Sequence, residues 1–193
     1  MSRDRDALSR VLFAALRDDP FYRRLEQACT ADAMLRYYNV SIREAERWGR
    51  LGAPEKGDWG ASIWAVPLAL ADLSRKKAEK HAALQTALGP DAAACFARIE
   101  AGMAPHEEAL GLDDHWYLSI LGVAPEMQGQ GLGGRLLAPV LEEADAAGVA
   151  SYLTTFTPRN ISFYAKHGYV SAGAFAEPET GSDFHVLVRP AGG

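Results

Sequence analysis

A glycine-rich run between a predicted strand and a predicted helix restricts most strongly the folds open to this chain. Residues 115–123 (HWYLSILGV) read as a strand, and residues 128–134 (QGQGLGG) follow it after a short link. An amphipathic helix then begins at once and ends near Gly148, and residues 150–156 read as a second strand. A strand, a helix and a second strand in this order form a right-handed crossover, which predicts two parallel neighbouring strands.

The glycine run matches the pattern G-x-G-x-x-G, which occurs in several kinds of nucleotide site. In a dinucleotide-binding fold the first glycine follows the strand directly, and an acidic residue about 20 positions later binds the ribose. Here five residues separate Val123 from Gly129, and the strand at 150–156 ends without an acid. A phosphate-binding Walker loop requires Gly-Lys-Ser/Thr, whereas this run ends in Gly134-Arg135-Leu136. The sequence therefore favours neither site.

A third interpretation is a loop that holds an anion with its backbone. Glycines let amide groups approach a ligand closely, and the N-terminus of a helix favours negative charge. No acidic residue occurs from 127 to 141, and Arg135 adds a positive charge. The alternative is a turn that merely joins strand and helix. Glycines carry an entropic cost in folding, so a run of them is unfavourable in a turn that has no other role. We therefore expect an anion site.

The rest of the chain alternates between helical and extended patterns. Helical spacing begins near Asp6, and a second helix follows Thr30, which is a favoured N-cap residue. Further predicted elements are strands at 48–51 and 59–66, helices over 69–108 broken at Gly89-Pro90, a short helix at 160–167, and strands at 169–175 and 184–188.

Composition limits both the possible binding partners and the cellular compartment. The 193 residues carry a net charge of -5, which argues against nucleic acid and anionic membranes as partners. Cys29 and Cys95 are isolated, so we expect free thiols and no metal site. The first six residues lack the apolar stretch of a signal peptide, and the apolar segment 61–71 is interrupted by Pro67. The expectation is a cytoplasmic protein with one domain over residues 1–193.

Two segments resemble the GCN5-related N-acetyltransferase (GNAT) superfamily. Residues 121–133 (LGVAPEMQGQGLG) are similar to its acetyl-CoA motif, and residues 157–169 (TPRNISFYAKHGY) are similar to its second conserved block. The puromycin N-acetyltransferase-like members share the latter block and a strand like Ile63-Trp64-Ala65-Val66-Pro67. The resemblance implies a mixed α/β fold. Its twisted sheet would be mostly antiparallel, with two splayed parallel strands that form a cofactor slot and with helices on both faces. A helical insertion would occupy about 68–112, and the cofactor core about 113–170.

The resemblance also implies roles for individual residues. The strand segment Leu121, Gly122 and Val123 would bind the pantetheine arm of acetyl-CoA through its backbone, and Asn160 would hydrogen-bond the same arm. Tyr164 would be the general acid that protonates the sulfur of CoA. The remaining residues implied to bind the cofactor, through amides that cradle its pyrophosphate, are Gln128, Gly129, Gln130, Gly131, Leu132, Gly133 and Gly134.

The general base stays open at this stage. Asp113, Asp114, His115, Glu107 and Glu108 lie around the start of the first parallel strand, and a dedicated base is not required. His115, Tyr117 and Ser119 share one face of that strand if it contains no bulge. Five aromatic residues are candidates either for an acceptor pocket or for the core: Trp64, Trp116, Tyr37, Tyr38 and Trp48.

Two functions from different classes follow. The first is an acetyl-CoA-dependent N-acetyltransferase that acts on the primary amine of a small molecule, as a monomer or a homodimer. The second is a non-catalytic module that binds acyl-CoA or a small molecule on the same fold. One departure is notable, because members of the superfamily usually begin with a strand, whereas here a helix begins near Asp6.

Overall fold

The computed structural model describes residues 4–192. Residues 1–3 and Gly193 lie outside this range. The signal-peptide prediction, which concerns residues 1–6, and the predicted domain, which spans 1–193, therefore fall partly outside the described residues. The helices within it are α1 (Arg5–Leu16), α2 (Pro20–Glu26), α3 (Ala31–Trp48), α4 (Leu70–Leu88), α5 (Pro90–Ala109), α6 (Leu132–Ala146) and α7 (Ile161–Ala165). The strands are β1 (Gly49–Gly52), β2 (Gly60–Ala65), β3 (Trp116–Val123), β4 (Ser151–Thr155), β5 (Val170–Glu177) and β6 (Ser182–Arg189).

The strands form a mixed sheet in the order β1-β2-β3-β4-β6-β5. β3 and β4 run parallel, and the other neighbouring pairs are antiparallel. The parallel pair is the one that the strand–helix–strand pattern predicts, with α6 as the crossover. The predicted fold class is therefore confirmed.

Helices cover both faces of the sheet because each face is apolar. On one face, residues of β2 and β3 such as Ile63 and Ile120 share a core with buried side chains from α1 to α5. On the other, Trp64 and Leu118 pack against α6 and α7. The helical block over 69–108 forms two helices that meet at Gly89, as predicted. No helix in the described chain is both long and apolar enough to span a bilayer.

The N-terminal third begins with helices, each of which has a capping side chain. The Asp4 carboxylate accepts from the amides of Asp6 and Ala7, both at 3.0 Å, at the start of α1. The Thr30 hydroxyl accepts from the Ala33 amide at 3.2 Å, so the predicted N-cap of α3 is confirmed. Over residues 4–192 the sheet starts at β1, after three helices, and no strand precedes α1.

Three local predictions need correction. Trp48 is the last residue of α3 and not the first of a strand, because the helical hydrogen bonds continue to Gly49. The chain after Asp19 forms α2, which the sequence pattern did not indicate. The register of β2 against β3 shifts between Ile63 and Trp64, so β3 has a bulge at Ser119. Ser119 therefore does not continue the alternation of His115 and Tyr117.

A buried serine joins β2 to α6. Ser62 is fully buried, and its hydroxyl donates to the Leu136 carbonyl oxygen at 2.9 Å. The same hydroxyl oxygen accepts from the indole N–H of Trp64 at 3.0 Å. We expect Ser62→Ala to lower the free energy of unfolding by about 1–3 kcal/mol, since it leaves a buried indole donor without an acceptor.

Urea denaturation measures this change. Ser74→Ala, at an exposed position of α4, is the control and should change stability by less than about 0.5 kcal/mol. Equal stability of the Ser62 variant and the parent would contradict the assignment.

Candidate functional site

The parallel strands pair only over their first half. Their paired residues run from Trp116 with Ser151 to Leu118 with Leu153. β3 continues to Val123 and β4 to Thr155 without further pairing between them. A gap therefore opens in the sheet between the C-terminal halves of β3 and β4, as the resemblance implies.

The backbone of β3 presents groups to this gap at alternate residues. On the side of β2, the Ala124 amide donates to the Trp59 carbonyl oxygen at 2.8 Å. Antiparallel strands alternate between bonded and non-bonded pairs, so Leu121 and Val123, opposite Ser62 and Gly60, direct their N–H and C=O groups away from β2. These backbone groups face the side on which β4 has diverged.

Gly122 has a different role, in packing. A β-carbon at this position would lie 2.7 Å from Leu12 Cδ2 and 3.3 Å from Ala15 Cβ. The absence of a side chain lets α1 approach β3 closely. Gly122 therefore allows α1 to pack against β3 on the face of the sheet that α1 covers.

The loop after β3 leads directly into α6. The Gln128 side-chain amide donates to the Val123 carbonyl oxygen at 3.0 Å, which fixes the start of the loop. Gly129 and Gly131 have φ of +78° and +74°, a conformation that favours glycine, and their missing β-carbons would meet open space. Gly131 is the N-cap residue of α6, with no side-chain capping bond. The first-turn amides of α6 have no intrahelical acceptors and are available to a ligand.

The next two glycines are needed for packing between helices. A β-carbon at Gly133 would lie 3.0 Å from the Phe163 ring, and one at Gly134 would lie 2.7 Å from the His167 ring. α7 and the turn after it therefore sit directly against the first turn of α6. The run at 128–134 thus combines an open loop with a tight helix contact.

The second motif brings Asn160 and Tyr164 to the gap. Asn160 ends a 3-10 turn before α7 and lines the same cavity as Tyr164. The Asn160 side chain makes no capping hydrogen bond at the start of α7 within the described chain. Its amide group remains free for other partners.

Tyr164 is buried beside the open end of the sheet. It is 8% exposed, packs in the core on the side of α6, and lines the cavity. Burial raises the pKa of its hydroxyl above the ordinary value, and the nearby Tyr169 and Asp19 add to this effect. The hydroxyl therefore stays protonated at neutral pH and is a potential proton donor.

The cavity has a volume of about 510 Å³ and lies over the gap between the strands. Of the aromatic candidates, Trp64 and Tyr37 line it. Trp116 and Tyr38 are core residues, and the Trp48 indole N–H donates to Glu79 at 3.1 Å. Other aromatic rings that line the cavity are Phe21, Tyr22, Phe96, Tyr117 and Phe156.

None of the five candidate bases is among the described residues that line the cavity. Asp113, Asp114 and Glu108 are exposed. His115 lies beside Tyr152, with ring centroids 6.4 Å apart. Glu107 is partly buried on α5, and burial followed by repulsion from Glu100 raises its pKa to about 7.

Glu107 nevertheless lies close enough to Tyr117 for its charge to help raise the pKa of that hydroxyl. The Tyr117 hydroxyl is 3.0 Å from the Thr154 hydroxyl, and both residues line the cavity. Glu107 therefore lies near Tyr117, which lines the cavity, but does not line the cavity itself.

Sequence reasoning missed the acidic residues that line the cavity, which are Asp19, Glu44 and Glu100. Asp19 lines it together with Asn160 and Tyr164. Its carboxylate accepts from the Phe21 amide at 3.0 Å and from the Thr157 hydroxyl at 2.9 Å. The local sequence around Asp19 contains nothing that predicts proximity to residues near position 160.

The mouth of the cavity carries a network of charges on α3, α4 and α5. Lys76 Nζ lies 3.2 Å from a Glu44 carboxylate oxygen. Lys80 Nζ lies 4.0 Å from Glu44 and 3.5 Å from Glu100. Each of these two lysines thus lies near a carboxylate of the cavity wall.

Comparison with known proteins finds similarity to one kind of domain. Residues 92–171 match the family model of the acetyltransferase (GNAT) domain. A Corynebacterium glutamicum structure described as histone acetyltransferase HPA2 and related acetyltransferase is 17% identical, with a TM-score of 0.64. The match covers 100% of this chain and 94% of that chain.

Two further structures have the same fold. Arylalkylamine N-acetyltransferase 2 from Aedes aegypti is 12% identical, with a TM-score of 0.67 and coverage of 97% of this chain and 94% of that chain. Naa20 from Chaetomium thermophilum, solved with a bisubstrate analogue, is 18% identical, with a TM-score of 0.50 and coverage of 93% and 80%. Residues 92–171 thus match a GNAT acetyltransferase domain, and the described chain has the fold of that superfamily.

Proposed function

We propose that this protein is an acetyl-CoA-dependent N-acetyltransferase that acts on the primary amine of a small molecule. One observation carries the proposal: the backbone groups of Leu121 and Val123 face a gap in the sheet, and Leu121 and Tyr164 line the same cavity. The match to the acetyltransferase domain supports the same reaction class. The strand like that of puromycin N-acetyltransferase-like members, around Trp64, is consistent with a small-molecule acceptor.

The gap suits the pantetheine arm, which is an extended chain with amide groups. Such a chain can pair with Leu121 and Val123 as an added strand would, because their N–H and C=O groups point into the gap. Asn160, at the same cavity, offers an amide side chain to the arm. In this arrangement the thioester lies next to the Tyr164 hydroxyl.

The loop at 129–134 suits the pyrophosphate. The first-turn amides of α6 and the amides of the loop's left-handed glycines can donate to an anion, and the helix dipole adds positive potential. The net charge of -5 opposes an anionic ligand in general. The acid-free segment 127–141 and Arg135 reverse this effect locally.

The chemistry requires an amine to attack the thioester carbonyl and the CoA sulfur to leave. The Leu121 N–H faces the gap. It can stabilise the negative charge that develops on the thioester carbonyl oxygen when the amine attacks. Tyr164 can donate its proton to the leaving sulfur. Burial makes Tyr164 a weaker acid than a solvated tyrosine, and burial of the leaving thiolate makes that group a stronger base, so the two effects oppose one another.

The alternative is a non-catalytic module that binds acyl-CoA. The observation in its favour is that none of the five predicted bases is among the described residues of the cavity. Release of CoA thiol from acetyl-CoA in the presence of a panel of amines separates the two functions. Binding of acetyl-CoA without amine-dependent release would identify a binding module.

Gly131→Asp tests the loop. The change adds a negative charge at the N-terminus of α6 and a β-carbon at a residue with φ of +74°. We expect acetyl-CoA binding in isothermal titration to weaken by at least about 100-fold, from charge repulsion and displaced amides.

Gly111→Asp is the matched control for strain and charge. Gly111 has φ of +68°, its missing β-carbon meets open space, and it lies after α5, away from the loop. This variant should keep the parent affinity. Equal loss in both variants would show that the effect is strain and would remove the loop from the site.

Tyr164→Phe tests the proton donor. We expect kcat to fall by about 10²- to 10⁴-fold, because the thiolate then leaves without general acid assistance, while acetyl-CoA affinity changes little. The control is Tyr169→Phe in the same core, whose hydroxyl lies 2.9 Å from that of Ser151. That variant should lose stability and keep its turnover. An unchanged kcat in Tyr164→Phe would exclude the acid role.

A further inference from the structure

Asp19 is held in the wall of the cavity by two parts of the chain that are far apart in sequence. One carboxylate oxygen accepts from the Phe21 amide at 3.0 Å and caps α2. The other accepts from the Thr157 hydroxyl at 2.9 Å, on the segment that leads to Asn160 and Tyr164. A carboxylate offers about four acceptor positions, so these two bonds fix its orientation and leave capacity for a ligand.

The charge of Asp19 is not compensated like that of the other acids in the cavity. Glu44 and Glu100 form ion pairs with Lys76 and Lys80. Asp19 takes part in none of the ion pairs found among residues 4–192. Burial raises the pKa of this carboxyl, whereas its hydrogen bonds with Thr157 and Phe21 and the nearby positive charge of Arg159 lower it. A partly buried carboxylate of this kind favours a cationic ligand group beside it.

Aromatic rings surround the same end of the cavity. The Phe21 ring lies 5.0 Å from that of Tyr22 and 5.9 Å from that of Phe156, and all three residues line the cavity with Asp19. Such rings bury an apolar or aromatic group and also attract a cation over their faces. The combination of one carboxylate with an aromatic wall matches an ammonium group on an aromatic body.

We propose that Asp19 binds the ammonium group of the acceptor and takes a proton from it, and that the acceptor is an arylalkylamine. This inference rests on the proposed acetyltransferase function. Asp19 is then a catalytic residue in direct contact with the substrate, and Thr157 is a residue that positions it.

The acceptor nitrogen loses two protons during the reaction, and the groups present account for both. The ammonium gives one proton to Asp19, which passes it to solvent, and the neutral nitrogen attacks the thioester carbonyl carbon. A C–N bond forms, the C–S bond breaks, and Tyr164 protonates the sulfur. The nitrogen then loses its second proton, which restores the Tyr164 hydroxyl. The products are the acetamide and CoA thiol.

Asp19→Asn is the informative variant, because asparagine also caps helices and keeps an oxygen for the Phe21 amide. With 2-phenylethylamine we expect kcat/KM to fall at least about 100-fold, with a higher KM and a lower kcat. Acetyl-CoA affinity and the melting temperature should stay close to those of the parent. Asp18→Asn is the control, since Asp18 is the exposed neighbour in the same turn.

A second amine separates proton removal from structural damage. Aniline is already unprotonated at neutral pH, so its nitrogen needs no base before attack. The loss in Asp19→Asn should therefore be at least about tenfold smaller with aniline than with 2-phenylethylamine. An equal loss with both amines would overturn the base role, and so would unchanged kinetics with 2-phenylethylamine.

The parent protein distinguishes failure of this inference from failure of the proposed function. If it releases no CoA with any amine, the acetyltransferase proposal fails. If it acetylates spermidine or n-butylamine at least as efficiently as 2-phenylethylamine, the acetyltransferase proposal stands and the arylalkylamine assignment is overturned. A preference for 2-phenylethylamine that is lost in Asp19→Asn supports the inference.

Discussion

The site depends on the loss of hydrogen bonding between β3 and β4 after Leu118 and Leu153. A backbone N–H or C=O group inside a protein needs a partner, and a sheet normally supplies it through the neighbouring strand. Beyond this point the neighbour has diverged, and Leu121 and Val123 face a gap. In the proposed function, an extended ligand with amide groups would supply the partners that β4 does not. The same divergence creates the cavity into which Asn160 and Tyr164 project.

Packing on both faces keeps the gap open. α1 approaches β3 closely at Gly122, where Leu12 would meet any added side chain. On the other face, α7 lies against the first turn of α6 because Gly133 and Gly134 leave room for Phe163 and His167. The strand and the loop are thus each held by a helix packed against them. A preorganised site of this kind spends little binding energy on ordering the protein.

Much of this arrangement is accessible from the sequence, because it follows from local patterns. The crossover, the glycine loop and the short helix with Tyr164 arise from residues within about one supersecondary unit. The bulge at Ser119 is not accessible, since it depends on the register against β2. Asp19 is missed for a related reason, because its partner Thr157 is 138 positions away in sequence. The glycine run looks uniform in sequence, but its glycines have different surroundings in the structure. Gly129 and Gly131 face open space, whereas Gly133 and Gly134 allow close packing of α7 and the turn after it.

Hydrogen exchange with acetyl-CoA, read by mass spectrometry on short peptides, tests the central claim most directly. The account predicts that acetyl-CoA slows exchange in peptides that cover 119–123 and 129–134, where backbone amides would bond to the ligand. Exchange in β5, at the far edge of the sheet, should not change. Protection that is absent from both segments under saturating acetyl-CoA, or that occurs elsewhere in their place, would contradict the account.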